Sequence, residues 1–179
     1  MMIFNINEPV KVLKGHEKEF AELLQIVKNK PITAELGEAV KAYSLQWAKK
    51  LNLNDFNQFY DDRYGRNYIG KDESGWEAIV MTWKKGVHSA IHGHPQYAGY
   101  TYLSGELLLE VFEEVEDGLR KVLEYNIKGG DSFFAVSEKN DYKNHIHRIT
   151  GLADARTLHI YSDDARKGFN YDGFTIQLP

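Results

Sequence analysis

The first third of the chain repeats apolar residues with the period of an α-helix. In HEKEFAELLQIVKNK the spacing of three and four puts one apolar face on a helix, made of Phe20, Leu23, Leu24 and Val27. Pro31 predicts the end of this helix, because the residue before a proline avoids the α region. A second helix is predicted in TAELGEAVKAYSLQWAKKL, with Thr33 as its N-cap. A short third piece, LNDFNQFY, completes a helical region over about residues 16–60.

After about residue 60 the pattern changes to short apolar segments separated by turn residues. The segments are EAIVMTW, AGYTYLS, ELLLEVFEE, RKVLEYNI, DSFFAV, RTLHIYS and GFTIQL. Glycine-containing turn signals stand between them at Gly105, Asp117-Gly118, Gly129-Gly130 and Asp172-Gly173. Short strands at this even spacing are typical of an all-β sandwich or barrel. The pattern predicts one mainly β domain over residues 1–179, with a helical cap on a β-barrel or jelly roll at about 61–179.

Composition narrows the possible functions. The 179 residues carry a formal net charge of −4, so the chain lacks the basic surface that nucleic-acid binding needs. No apolar run reaches the length of a signal peptide core or a membrane span, and we therefore expect a soluble cytoplasmic protein. The chain has no cysteine, which excludes disulfides, thiolate metal ligands and a cysteine nucleophile.

Two of the seven histidines, His92 and His94, form a His-x-His pair. Side chains alternate along a strand, so both imidazoles point to the same face. Inside a barrel they are costly unless something satisfies them, and neutral imidazole is a good ligand for Fe, Zn, Cu and Ni. The pair therefore indicates either a metal site or two hydrogen-bonded or surface histidines.

The segment GVHSAIHGHPQYAGYTYLSG, residues 86–105, resembles the first motif of the cupins. In that motif a glutamate ligand follows the two histidines, but here its place is taken by Ala98 or Gly99, neither of which can bind a metal. The resemblance implies that a histidine from a later strand completes the site. In NHIHRITG the candidates are His145 and His147, which share a face, so periodicity does not choose between them.

A strand near the C-terminus, RTLHIYS, separates its side chains into two faces. Leu158 and Ile160 lie on one face, and the opposite face carries Thr157, His159 and Tyr161. If the second face is interior, these three side chains can form a hydrogen-bonded relay whose phenol leads into the cavity. The other interpretation is that Tyr161 belongs to the core or the rim.

Four segments of the chain resemble motifs of the cysteine dioxygenase family of cupins, and they follow one another along the chain as in that family. WKKGVHSAIHGH is similar to the family's first metal segment, and HRI resembles the His-Arg-Val that carries its third histidine. TLHIYS resembles its Ser-x-His-x-Tyr-Ser relay, with threonine in place of the first serine. YGRN matches Tyr-x-Arg-Asn, in which the arginine binds the substrate carboxylate. The resemblance extends over about residues 16–175.

The resemblance implies a role for each of these segments. It implies a cupin jelly roll holding Fe(II) through His92, His94 and His147, which favours His147 over His145. The substrate-binding residues would be Arg66 and Tyr64. The catalytic relay would be Tyr161, His159 and Thr157.

The activity implied is that of a thiol dioxygenase, whose partners are a small thiol and O₂. The expected reaction converts L-cysteine to cysteine sulfinate. Mammalian members cross-link a cysteine to the active-site tyrosine; with no cysteine here, that thioether cannot form, as in many bacterial members. The alternatives are a dioxygenase for 3-mercaptopropionate or mercaptosuccinate, a metal-binding cupin sensor without turnover, and a zinc hydrolase or lyase.

Overall fold

A computed structural model describes residues 9–177, and its N-terminal part is helical as predicted. Helix α1 is Glu17–Val27, helix α2 is Ala34–Ala48, and a 3₁₀ turn at Leu53–Asp55 is what forms from the third predicted piece. The Thr33 hydroxyl accepts a hydrogen bond from the Leu36 amide at 3.3 Å and so caps α2. Neither helix in residues 9–177 is long and apolar enough to cross a bilayer.

Ten strands follow the helices. They are β1 (Gly65–Lys71), β2 (Glu77–Trp83), β3 (His92–His94), β4 (Tyr97–Ser104), β5 (Leu107–Val115), β6 (Gly118–Ile127), β7 (Ser132–Val136), β8 (Asn144–Gly151), β9 (Ala155–Tyr161) and β10 (Ile176–Gln177). All seven segments with strand patterning contribute a strand. The strand β1 is not predicted by that patterning, because GRNYIGK mixes polar and glycine residues with few apolar ones.

The strands form two five-stranded sheets. One sheet has the order β1-β2-β9-β4-β7 and is called the capped sheet here; the other has the order β10-β6-β5-β8-β3 and is called the open sheet. Their pairings are antiparallel, apart from the parallel pair of β10 with β6. Within residues 9–177 no ladder joins the two sheets. The mainly β jelly roll with a helical cap is confirmed, as two facing sheets rather than a closed ring.

The capped sheet is buried on both faces. Helix α2 packs against β4 and β7, and α1 packs against α2 and β1. Val80 and Leu158 belong to the core cluster beneath the helices, whereas Ile79 and Met81 belong to the cluster between the sheets. This burial on two sides explains why residues 78–81, AIVM, form a continuous apolar run in β2. The space between the sheets is where the histidines meet.

Candidate metal centre between the two sheets

Three of the predicted site histidines converge at one edge of the open sheet. Strands β3 and β8 are antiparallel neighbours, and His92 lies opposite His147. One ring nitrogen from each of His92, His94 and His147 lies within 4.8 Å of the others. His94 and His147 are each 1% exposed, and His92 is half-buried. The structure therefore brings together three side chains that could hold a metal ion.

His145 lies near this trio but outside it. The register between β3 and β8 shifts between His92 and His94, and His145 has a φ of 48°, so a β-bulge interrupts the alternation at this point. The His145 ring lies 5.0 Å from the His147 ring, measured between centroids. Its nitrogens are not part of the clustered set.

Backbone carbonyls orient two rings of the trio. His92 Nδ1 lies 2.9 Å from the Ala90 carbonyl, and His94 Nδ1 lies 3.1 Å from the carbonyl of Asn144. A nitrogen beside a carbonyl carries the proton, so the other nitrogen, Nε2, holds the lone pair. His94 Nε2 is buried and has no hydrogen-bond partner within residues 9–177. An acceptor left in this state is costly, and a metal ion would satisfy it.

The environment of the trio keeps its imidazoles neutral. Burial lowers the pKa of His92 to about 4, and the charge of Arg66 acts in the same direction. Burial also holds the pKa of His94 and of His147 well below the usual value, with further lowering from the neighbouring imidazoles. Neutral imidazoles have a lone pair to donate at pH 7. The residues present therefore fit a divalent transition metal such as Fe, Zn, Cu or Ni.

The capped sheet directs a chain of hydrogen bonds toward the trio. The Thr157 hydroxyl and His159 Nε2 are 2.7 Å apart, and His159 Nδ1 is 2.7 Å from the Tyr161 hydroxyl. The Tyr161 ring is stacked 5.8 Å from the His94 ring, centroid to centroid. The predicted face of β9 is therefore interior. Its three polar side chains are connected in series.

Trp83 extends this chain and sets its direction. Its indole N–H donates to the Thr157 oxygen at 2.9 Å, and a neutral histidine has one donor and one acceptor nitrogen. Thr157 can then donate its own proton to His159 Nε2, which leaves the Nδ1–H of His159 to donate to the Tyr161 oxygen. In this arrangement the Tyr161 proton is free to point into the cavity. Burial lowers the pKa of His159 to about 3 and raises the pKa of Tyr161, so both groups are neutral at pH 7.

Arg66 enters the same space from β1. Its Nη2 donates to the Tyr64 hydroxyl at 3.0 Å, and the Tyr64 ring stacks on Trp83 with 4.8 Å between centroids. Burial works against the charge of Arg66, but the oxygens of Tyr64, Tyr68 and Tyr161 raise its pKa above the usual value. The guanidinium thus brings a permanent positive charge beside neutral histidines.

These groups line one small cavity between the sheets. Its lining includes Arg66, Tyr64, His92, His147, His159 and Tyr161. His94 and Thr157 lie behind this wall, fully buried. Polar groups from both sheets therefore border one space.

The C-terminal segment covers the outer edge of β3. The Gly93 amide donates to the Phe169 carbonyl at 2.8 Å, and the Tyr171 amide donates to the Ile91 carbonyl at 2.9 Å. Without this segment the three-residue strand that carries His92 and His94 would be an unpaired sheet edge. The segment therefore fixes the backbone of two predicted ligands.

Sequence reasoning missed the positions of Trp83 and Asn144 in the site. Trp83 follows Ile79 and Met81 at intervals of two in β2, which was the available signal that it faces the open sheet. Asn144 had no local signal. Its side-chain amide donates to the carbonyls of Pro95, Gln96 and Ala135, each at 3.1 Å, and these contacts join distant parts of the chain.

A family model described as cysteine dioxygenase type I matches residues 10–172. A comparison with curated proteins finds no match.

Several solved structures are similar. A cupin superfamily protein from Desulfitobacterium hafniense has 14% identity and a TM-score of 0.49, covering 64% of this chain and 90% of its own. A conserved protein with a double-stranded beta-helix domain from Klebsiella pneumoniae has 13% identity and a TM-score of 0.47, covering 64% of this chain and 90% of its own. An RmlC-like cupin from Desulfovibrio desulfuricans has 18% identity and a TM-score of 0.45, covering 63% of this chain and 95% of its own.

We predict that His147→Ala abolishes metal retention, whereas His145→Ala still binds one metal ion per chain at saturating metal. The reason is that His147 supplies a nitrogen to the trio and His145 does not. Equilibrium dialysis against saturating metal, followed by inductively coupled plasma mass spectrometry, measures the metal bound per chain and checks this. His88→Ala is the matched control, since His88 is exposed, and it should retain metal fully. Retention by His147→Ala together with loss in His145→Ala would mean that the ligand assignment is shifted by two residues.

Proposed function

Because the chain belongs to the cysteine dioxygenase type I family, we propose that it is an iron-dependent thiol dioxygenase that converts L-cysteine to cysteine sulfinate. The observation that carries this proposal is the composition of one cavity wall. Two members of an all-histidine trio and the half-buried Arg66 line the same small space. A site for a metal and a site for a carboxylate are therefore neighbours.

The histidine trio suits a thiol substrate. Fe(II), when bound by His92, His94 and His147, would supply an attachment point for the substrate sulfur and the redox chemistry that joins it to O₂. The three imidazoles are neutral, and within the described residues no carboxylate joins their cluster. The protein therefore leaves the charge of a divalent ion uncompensated, which favours binding of an anionic thiolate.

Arg66 recognises the other end of the substrate in this proposal. Its planar guanidinium can donate two parallel hydrogen bonds to a carboxylate. The Tyr64 hydroxyl accepts from Nη2, and Tyr64 is itself stacked on Trp83, so the guanidinium is held before substrate arrives. This preorganisation reduces the ordering cost of binding.

Tyr161 acts as a hydrogen-bond donor to the bound substrate. Its oxygen is held by His159 Nδ1, and Thr157 and Trp83 hold the far side of that ring. The phenol retains its proton, because burial raises its pKa. Ala98 is the cross-strand neighbour of Tyr161, and the chain has no cysteine that could form a thioether with the phenol. Tyr161 is therefore an unmodified phenol.

The overall reaction balances without a further reductant. The thiol RSH and O₂ give the sulfinic acid RSO₂H, with both oxygen atoms on sulfur. We propose the cytoplasm as the site of this reaction, since thiols there are kept reduced.

The test is a substrate panel with the Fe(II)-loaded protein under air. The panel contains L-cysteine, 3-mercaptopropionate, mercaptosuccinate and cysteamine, with O₂ consumption and sulfinate mass as readouts. L-cysteine should be the best substrate, and cysteamine should be poor because it lacks a carboxylate. A preference for 3-mercaptopropionate or mercaptosuccinate would retain the reaction and change the substrate. Metal binding without turnover of any thiol would indicate a sensor.

We predict that Arg66→Ala lowers kcat/KM for L-cysteine at least about a hundredfold. Removing a charged bidentate contact costs about 2–4 kcal/mol. Steady-state O₂ consumption measures the change. Arg63→Ala is the control, because Arg63 is paired with Asp62 at 3.3 Å and does not line the cavity. Equal losses in the two variants would contradict a carboxylate role for Arg66.

We predict that Tyr161→Phe folds and binds iron normally but has a kcat lowered about a hundredfold, the low end for a positioned hydrogen-bonding or acid–base group. His159→Ala should act in the same direction, and the double variant should be no slower than the worse single variant, because the two residues act as one unit. Iron content and single-turnover rates give the comparison. Tyr125→Phe, which removes a hydroxyl bound to Asp131 at 3.0 Å, serves as the control. Multiplicative losses in the double variant would rule out a relay.

A further inference from the structure

The ladder between β3 and β8 is irregular beside the histidine trio. His92 lies opposite His147 and His94 lies opposite Asn144, so one residue of β3 faces two residues of β8. This is the pattern of a β-bulge. Within it His145 has a φ of 48°, a left-handed conformation that side chains other than glycine adopt at a cost. The surrounding structure must therefore hold His145 in place.

The bulge gives His94 two hydrogen-bond acceptors. His94 Nδ1 lies 3.1 Å from the Asn144 carbonyl and 3.2 Å from the His145 carbonyl. In a regular strand successive carbonyls point in opposite directions, so two consecutive carbonyls reach one nitrogen only because the strand is bulged. Both acceptors place the proton on Nδ1 and leave Nε2 free to bind a metal. The backbone conformation of His145 is thus coupled to the orientation of His94.

The side chain of His145 is tied to Tyr100. The Tyr100 hydroxyl forms a hydrogen bond with His145 Nε2, and Tyr100 is 3% exposed. This contact joins β4 to β8 across 45 residues of sequence. The Tyr100 ring lies 5.2 Å from the His147 ring and 5.7 Å from the His159 ring, measured between centroids.

The function proposed above does not use this pair. Neither Tyr100 nor His145 lines the cavity, and neither contributes a nitrogen to the trio. A partly buried Tyr–His hydrogen bond beside the histidine trio nevertheless connects the capped sheet, through β4, to the bulge in β8. The neighbouring Asn144 makes a second link between β8 and the capped sheet, because its side-chain amide donates to the Ala135 carbonyl of β7 at 3.1 Å.

We propose that Tyr100 and His145 are positioning residues, whose hydrogen bond holds the bulge of β8 and thereby fixes His94 as a metal ligand. The inference rests on the proposal that the trio binds a metal. In this inference the backbone carbonyl of His145 helps to orient His94. The sequence alone also allowed His145 to be a metal ligand.

Co²⁺ is a suitable probe, because it is stable in air and its visible absorption reports ligand number and geometry. The metal-free full-length protein is titrated with Co²⁺, and both Kd and the absorption spectrum are recorded. Tyr100→Phe keeps the aromatic ring and should weaken Co²⁺ binding about 10–100-fold, the usual effect of losing a partner behind a ligand. His145→Ala should weaken it at least as much. His145→Gly should recover part of the loss, because glycine adopts a positive φ without strain.

The control is Tyr102→Phe, which removes a hydroxyl bonded to the Gly105 carbonyl at 3.0 Å on the same strand and should leave Kd and spectrum unchanged. Thermal unfolding of the metal-free variants is measured in parallel. A general loss of stability would lower Tm without altering the Co²⁺ spectrum, whereas a displaced His94 alters the spectrum of folded protein.

The outcomes separate the two proposals. If the wild type does not bind Co²⁺, the metal centre itself is wrong. If the wild type binds and both Tyr100→Phe and His145→Ala bind equally tightly with the same spectrum, the positioning role is wrong and the metal centre stands. If His145→Ala and His145→Gly lose affinity equally while Tyr100→Phe does not, His145 is a ligand and the inference is overturned.

Discussion

The burial of neutral imidazole rings between two apolar sheets is the constraint on which this structure depends. Burial lowers the pKa of each of five histidines, namely His92, His94, His145, His147 and His159. A buried ring that cannot take up a proton must still satisfy a donor and an acceptor nitrogen. Much of this need is satisfied by backbone carbonyls, a threonine and two tyrosines. The ring nitrogens that lie within 4.8 Å of one another are those of the candidate metal centre.

The two sheets contribute different parts of the site. The open sheet carries the histidine trio on β3 and β8, and the capped sheet carries the arginine on β1 and the relay on β9. The helices bury the far face of the capped sheet, so the strands with Arg66 and Tyr161 are packed on both sides. Groups held on strands in this way keep their geometry better than groups on loops.

Local pattern was sufficient wherever the relevant contacts are close in sequence. The three-and-four spacing predicted both helices, and alternation placed Thr157, His159 and Tyr161 on one face of β9, where the structure has them. Alternation also placed His92 and His94 on one side of a strand. These predictions held because the periods of helix and strand follow from backbone geometry, which is the same in every fold. The family resemblance added Arg66, which no periodicity indicated.

Long-range contacts decided the remainder. Periodicity left His145 and His147 equivalent, because both occupy the same phase of β8; the bulge separates them, and its side-chain anchor is Tyr100, 45 residues away. Trp83 joins the relay through Thr157, 74 residues further along the chain, since pairing of β2 with β9 brings them together. Patterning of residues 65–71 did not predict β1, whose partner β2 supplies the ladder. The amino-acid pattern reports which face a residue occupies, whereas the choice of ligand depends on which strands pair and where their register slips.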